Sequence, residues 1–137
     1  MNVYLVNTNS KLSNHNPNGY SYMLWQNRVM TYYRNSSQTQ VDLISKGDLI
    51  LLYHNENRII AVGFAVSGVQ TNDYEDIGYV EHFVNVNWIW KALFNGNIPQ
   101  NSINRNDIGI TMVNGAVVNV TNQINFKALL ENIASKQ

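Results

Sequence analysis

Two neighbouring runs, DLILLYH (Asp48 to His54) and RIIAVGFAVS (Arg58 to Ser67), constrain this chain more than any other stretch. Both are dense in apolar and β-branched residues, and only Asn55-Glu56-Asn57, three turn formers, lie between them. That spacing predicts an antiparallel hairpin at the centre of a sheet. Gly63 interrupts the second run, which predicts a bulge or a close approach by another group.

The rest of the chain is read outward from that hairpin. Asn2 to Val6 reads as a buried strand with Tyr4 and Val6 on one face and Val3 and Leu5 on the other. Asn7 to Asn18 reads as a polar loop. From Tyr20 to Tyr33, Tyr22, Trp25, Val29 and Tyr32 recur at three- to four-residue steps, which predicts one helix, ended by Arg34, Asn35 and Ser36-Ser37. A short helical turn is expected over Val41 to Ser45, with Gly47 in the left-handed region after it. Thr71 to Gly78 reads as an acidic loop. In Tyr79 to Trp90, Val84, Val86 and Trp88 alternate with Asn85, Asn87 and Ile89, as in a strand with one buried face. Gly96 to Asn106 reads as a loop. Ile108 to Val113 and Ala116 to Val120 flank Asn114-Gly115, which predicts a second hairpin. Phe126, Leu129, Leu130 and Ile133 place an amphipathic helix over Ile124 to Ala134.

This order, a strand, a helix, strands in hairpin-like succession and a closing helix, predicts an α+β fold. Its sheet is a curled mixed sheet or open β-barrel of about six strands with flanking helices. A parallel nucleotide-binding sheet is excluded, because the helices between its strands are missing. At 137 residues, 45% hydrophobic and 13% charged, with no internal repeat, linker or low-complexity tract, residues 1–137 read as one domain. The 23 asparagines are assigned to background composition and turn chemistry.

Composition also removes whole classes of chemistry. With no cysteine there is no disulfide framework, thiolate metal site or cysteine nucleophile, and a cytoplasmic location is expected. The opening MNVYLVNTNSK lacks a basic and apolar leader, and no run is apolar enough to span a membrane, so no membrane partner is expected. Nine Lys and Arg balance nine Asp and Glu, which excludes binding driven by a polybasic surface but leaves a pocket open. The phosphate-cradling and nucleophile-elbow motifs do not occur. His15, His54 and His82 stand far apart, and Asp73, Glu75, Asp76 and Glu81 lack the ligand pattern of a calcium loop and read as a solvated loop. No catalytic residue, metal or cofactor is therefore assigned.

The aromatic residues carry the remaining signal. Trp25 sits early in the expected first helix beside Gln26 and Asn27, and reads as either a packed or a ligand-facing ring. Trp88 and Trp90, two apart on a strand, are expected to point the same way, with Trp88 in the core. Tyr53-His54 ends one strand and Tyr79 begins another. Rings of this kind hold an unstacked base by stacking, and the amides of Asn7, Asn9 and Asn27 could read its edge.

These residues resemble a known family, the PUA-like domains of the EVE and YTH kind. KGDLILLYHNENRIIAVGFAVSG (Lys46 to Gly68) is similar to the EVE pattern in which Gly-Asp opens a strand ending Tyr-His-Ser and the next carries Val-Gly-x-Ala. FVNVNWIWKALFNGNIPQNSI (Phe83 to Ile103) resembles the YTH segment with Phe-x-Val-x-Trp-Ile, and VNGAVVNVTNQINF (Val113 to Phe126) echoes that family's hairpin and lead-in to its last helix. The resemblance implies a barrel whose pocket accepts a flipped, modified base, such as N6-methyladenine in RNA or a methylated base in DNA. It places Trp25 at the first cage tryptophan and Tyr79 near the second, where YTH readers carry Trp. It places Asn7 to Asn9 at the base-contacting strand end and Tyr53-His54 at the EVE Tyr-His. The EVE opening Trp-x-x-Lys-x-Glu-Pro is missing here.

Similar domains serve as specificity modules of McrB-type modification-dependent restriction systems, which implies a GTPase or nuclease as partner subunit. The expected function is therefore recognition of a methylated base in nucleic acid, modified DNA ahead of RNA, without catalysis. Stacking on Trp25 and Tyr79 would be joined by phosphate contacts from Lys11, Arg28, Arg34, Lys46 and Arg105. Two other readings stay open: an RNA-binding domain indifferent to modification, and a small-ligand protein or enzyme using His54 or the acidic loop.

Overall fold

The central hairpin forms as the sequence predicts, and the sheet grows from it. A computed structural model describes residues 1–8, 19–34, 40–54, 58–74 and 78–137, with the backbone alone at 33 and 34. The turn Asn55-Glu56-Asn57, most of the polar loop after Asn7, the Ser36-Ser37 pair, Glu75 and Asp76 lie outside them. The elements are β1 (Val3–Asn7), α1 (Gly19–Gln26), β2 (Arg28–Arg34), a 3-10 turn (Val41–Leu43), β3 (Leu49–His54), β4 (Arg58–Ala65), β5 (Gln70–Tyr74) and β6 (Tyr79–Lys91). There follow β7 (Phe94–Asn95), β8 (Ile98–Pro99), β9 (Ile103–Asn104), a second 3-10 turn (Arg105–Ile108), β10 (Val117–Asn119) and α2 (Phe126–Ser135).

The main sheet runs β10-β1-β3-β4-β6-β2 among the described residues, and it curls into a half-barrel. β1 lies parallel to β3, while β3 and β4, β4 and β6, and β6 and β2 are antiparallel, so the sheet is mixed. Val3 to Val6, Leu49 to Leu52 and Ile59 to Val62 are buried on both faces, which explains why these strands read as unbroken apolar runs.

β6 is the strand that shapes the molecule. Its first half is flanked by β2 and β5, and its second half pairs with β4. A bulge follows the change of partner: Gly63 faces Trp88 and Val62 faces Trp90, leaving Ile89 as the extra residue. A Cβ on Gly63 would collide with the Asn87 carbonyl oxygen and lie 2.8 Å from Val86 Cγ1, so the close approach read from the sequence is present. Trp90 is in the core and Trp88 packs against it, while Asn87, Ile89 and Lys91 between and beyond them are exposed.

Four expectations change. The helix expected over Tyr20 to Tyr33 ends at Gln26, because Asn27 adopts φ 53°, a left-handed conformation that Asn tolerates. The β-branched and aromatic run after it pairs with β6 as β2. Part of the expected acidic loop is β5, whose residues also pair with β6. The expected loop from Gly96 to Asn106 contains β8, β9 and the start of the second 3-10 turn. The hairpin expected around Asn114-Gly115 does not form: β10 instead pairs with β1, and only Gly115 keeps the expected left-handed φ, at 95°. α2 forms close to its expected bounds, capped by the Asn125 side chain, which accepts from the Ala128 N–H at 3.0 Å. Its inward residue is Leu129, while Leu130 is exposed.

Candidate functional site

One short helix and one short hairpin build an open aromatic groove. α1 supplies Tyr20, Ser21, Leu24 and Trp25, two i,i+4 pairs that lie together on one side of the helix. The end of β6 supplies Lys91, and the β7–β8 hairpin supplies Phe94 and Gly96, whose φ of 60° fits the tight turn. Together they line a groove of about 370 Å³. Eight residues are too few to hold a helix by themselves. Met23, fully buried, and the Tyr20 hydroxyl, which donates to Asn97 Oδ1 at 2.6 Å, fix α1 to the sheet and the hairpin.

Behind the groove the rings interlock. Tyr20 stacks on Phe94 at 5.2 Å between centroids and 14° between planes, and His54 sits 4.6 Å from Tyr20. His54 Nδ1 is 3.3 Å from Thr8 Oγ1. Burial, and then the charge of Arg58, hold the His54 imidazole below its usual pKa, so it is neutral at physiological pH. Trp25 is 76% exposed, and Lys91 is exposed with no ion pair among the described residues. A planar ligand could stack on the indole and present an anionic group to Lys91.

The expected site residues divide sharply. Trp25 lines the groove, near the end of α1 rather than early in a longer helix. His54 backs it through Tyr20. Asn7 and Tyr53 pair with each other across β1 and β3 at the same end of the sheet. Asn27 is exposed just beyond α1, and its carbonyl accepts from the Val86 N–H at 2.8 Å. Tyr79, by contrast, stands at the opposite end of β6 from Lys91, against Tyr74 and Arg34, and does not line the groove. The two-ring cage of Trp25 and Tyr79 is thereby corrected. Asn9, Lys11 and the Arg34 side chain lie outside the described residues.

The expected phosphate contacts also change. Arg105 donates from Nη1 to the Ile110 carbonyl at 2.9 Å, a bond that closes its own turn. Lys46 is exposed before β3, at the end away from His54. Arg28 is engaged internally. Its Nη1 meets Glu81 Oε1 at 3.3 Å, and its guanidinium lies 3.9 Å above the Phe83 ring centroid.

Glu81, expected in a solvated acidic loop, is fully buried. Strand register explains its partners: it faces Tyr32 on β2 and Asn72 on β5. Tyr32 donates to Oε2 at 2.8 Å, and Asn72 Nδ2 to Oε1 at 3.0 Å. Burial and the Glu81 charge raise the Tyr32 phenol above its ordinary range and push Tyr74 up to about 12, so both phenols remain neutral and Tyr32 keeps the proton it donates. No group of metal-ligating side chains occurs among the described residues.

Sequence reasoning missed Tyr20, Ser21, Leu24, Lys91, Phe94 and Gly96. The one available signal was Gly96-Asn97, a Gly-Asn turn between Phe94-Asn95 and Ile98-Pro99, which reads as a hairpin but not as one that folds onto α1. No helix among the described residues is long and apolar enough to cross a membrane. No family model matches the chain, and no curated protein does. Among solved structures, it is similar to the NMR structure of Rpa0253 from Rhodopseudomonas palustris, at 13% identity and a TM-score of 0.36. That similarity covers 64% of this chain and 62% of the other. The PUA-like resemblance therefore rests on the sequence.

Proposed function

We propose that the chain is a non-catalytic nucleic-acid-binding module that takes an extruded base, methylated in its preferred ligand, into the groove beside Trp25. The observation that carries this reading is the indole, 76% exposed at the edge of an aromatic-walled groove with a cation at its rim. An indole buried in the core would add stability, and an exposed one at a concave site supports stacking instead. In this mechanism the base stacks on Trp25, Lys91 takes a flanking phosphate, and Ser21 in the groove wall, with Asn27 just beyond α1, would read the base edge.

The equal numbers of acidic and basic residues fit a pocket-led mode, with weak binding to unmodified strands and a shallow salt dependence. A second reading, base stacking without preference for methylation, is favoured by one observation: Tyr79 does not close a cage over Trp25. The test is titration of short DNA and RNA strands carrying N6-methyladenine, 5-methylcytosine or the plain bases, with Trp25→Ala beside the parent chain. Tighter binding of one methylated strand, lost in the variant, supports the first reading. Equal binding of all strands that still depends on Trp25 supports the second, and binding indifferent to Trp25 sinks both.

A further inference from the structure

Lys91 lines two cavities, not one. Beyond the Trp25 groove lies a second of about 310 Å³, lined by Ile89, Trp90, Lys91, Leu93, Asn101 and Lys136, together with the C-terminal Gln137. Its floor is tied in place. Trp90 Nε1 donates to the Lys136 carbonyl at 3.4 Å, Asn101 Nδ2 donates to the same oxygen at 3.3 Å, and Asn101 Oδ1 accepts from the Leu93 N–H at 2.6 Å. Its rim is left open: Ile89, the extra residue of the bulge, is 51% exposed, and Leu93 is 68% exposed. Neither Lys91 nor Lys136 forms an ion pair among the described residues.

We propose that this second cavity holds the nucleotide next to the base stacked on Trp25, with Lys91 on the phosphate between them and Lys136 on the phosphate beyond. This inference rests on the nucleic-acid reading above and adds a ligand class to it, a single strand of at least two consecutive unpaired nucleotides. Three features converge on that occupant. The cavity and the Trp25 groove share one lining residue, Lys91. Aliphatic side chains and the edge of an indole accept the apolar face of a base. The two ammonium groups, which meet no carboxylate among the described residues, suit a ligand that carries one negative charge per linkage. A second copy of this chain is the rival occupant of the exposed apolar rim, and a chain of zero net charge offers it no excess of anions for these lysines.

The probes are N6-methyldeoxyadenosine monophosphate, labelled three- and five-nucleotide thymidylate strands with N6-methyladenine at the centre, and the same strands unmodified. We expect affinity to rise about tenfold from the mononucleotide to the three-nucleotide strand and then to level off, as it does when one further base finds a stacking surface. Leu93→Ser and Lys136→Ala, both outside the Trp25 groove, should leave mononucleotide binding unchanged and remove that rise. Lys91→Ala should lower the slope of log affinity against log salt for the five-nucleotide strand by about 0.7, the loss of one phosphate contact. Affinity independent of length, or unchanged by Leu93→Ser and Lys136→Ala, overturns the second cavity while Trp25-dependent mononucleotide binding leaves the parent reading standing. If none of the probes binds, both fall. Sedimentation showing a dimer that Leu93→Ser dissociates would assign the rim to a second copy and overturn the proposal.

Discussion

The molecule contains two clusters in which tyrosines meet a cation, and they differ in where the cation's partner comes from. In the cluster around Glu81, Arg28 finds a fully buried carboxylate, and Tyr32 and Asn72 complete the set. At the Trp25 groove, Lys91 and the indole face solvent and meet no carboxylate among the described residues. The first arrangement is closed on itself and belongs to the fold; the second is open and can be completed by a ligand. Aromatic and basic residues signal a site only where the chain has not already supplied their partners.

The comparison breaks hardest at Glu81. Glu81→Leu would leave the Arg28 guanidinium with no counter-ion in a largely buried setting, a change that costs about 3–5 kcal/mol. Arg28 retains some exposure, so the lower part of that range is expected. Urea unfolding should show this loss, and Arg28→Met in the same chain should recover most of it, because an apolar pair leaves no charge uncompensated. If Glu81→Leu unfolds at the parent urea concentration, the cluster does not hold the fold.

Trp25→Ala should behave in the opposite way. Removing an exposed indole should change stability by no more than about 0.5 kcal/mol. It should weaken binding of a methylated strand by about 1–3 kcal/mol, roughly fivefold to 150-fold, the value of one stacked base. Fluorescence anisotropy for binding and urea unfolding for stability together separate the two clusters. A large stability loss here would move Trp25 into the structural class with Glu81.

The two clusters also differ in how far the sequence reveals them. The β3–β4 hairpin and α2 are legible because their signals are local: two apolar runs at hairpin spacing, and an apolar face behind an asparagine cap. β2 is not, since Tyr22, Trp25, Val29 and Tyr32 keep helical spacing across a boundary that depends on Asn27 turning left-handed. Glu81 stands near Glu75 and Asp76 in the chain and looks solvated, and only the pairing of β6 with both β2 and β5 buries it. Trp25 could be singled out because an indole beside Gln26 and Asn27 breaks its surroundings. Lys91 and Phe94 could not, because their role depends on a hairpin folding back onto α1.

The strand joining the two clusters offers a sharper cut. Gly63→Ala puts a methyl group against the Asn87 carbonyl, 2.8 Å from Val86 Cγ1 and 2.9 Å from Trp88 Cε3. Backbone cannot yield as a side-chain tip does, so overpacking of about 1–3 kcal/mol is expected. The bulge aims the half of β6 that ends in Lys91, so backbone amide shifts should spread toward Lys91 and Phe94 and fade toward Glu81. Equal disturbance of both halves would show that β6 acts as one rigid unit and that the clusters are not independent.

The smallest effect is expected from His54, and its sign follows from linkage. Burial and Arg58 lower the folded-state pKa of His54 below the unfolded value of about 6.5, so below that pH the unfolded chain binds more protons. Its contribution to stability is complete above about pH 6.5 and is lost as pH falls through the folded pKa. His54→Gln should flatten that part of the stability profile. Because His54 lies against Tyr20, protonation also places a cation behind the groove wall. Base affinity should therefore change between pH 7 and pH 5 in the parent chain more than in the variant, while the Glu81 cluster stays indifferent. If the stability profiles of parent and variant coincide, His54 is a packing residue only, and the groove's aromatic wall is insensitive to its charge.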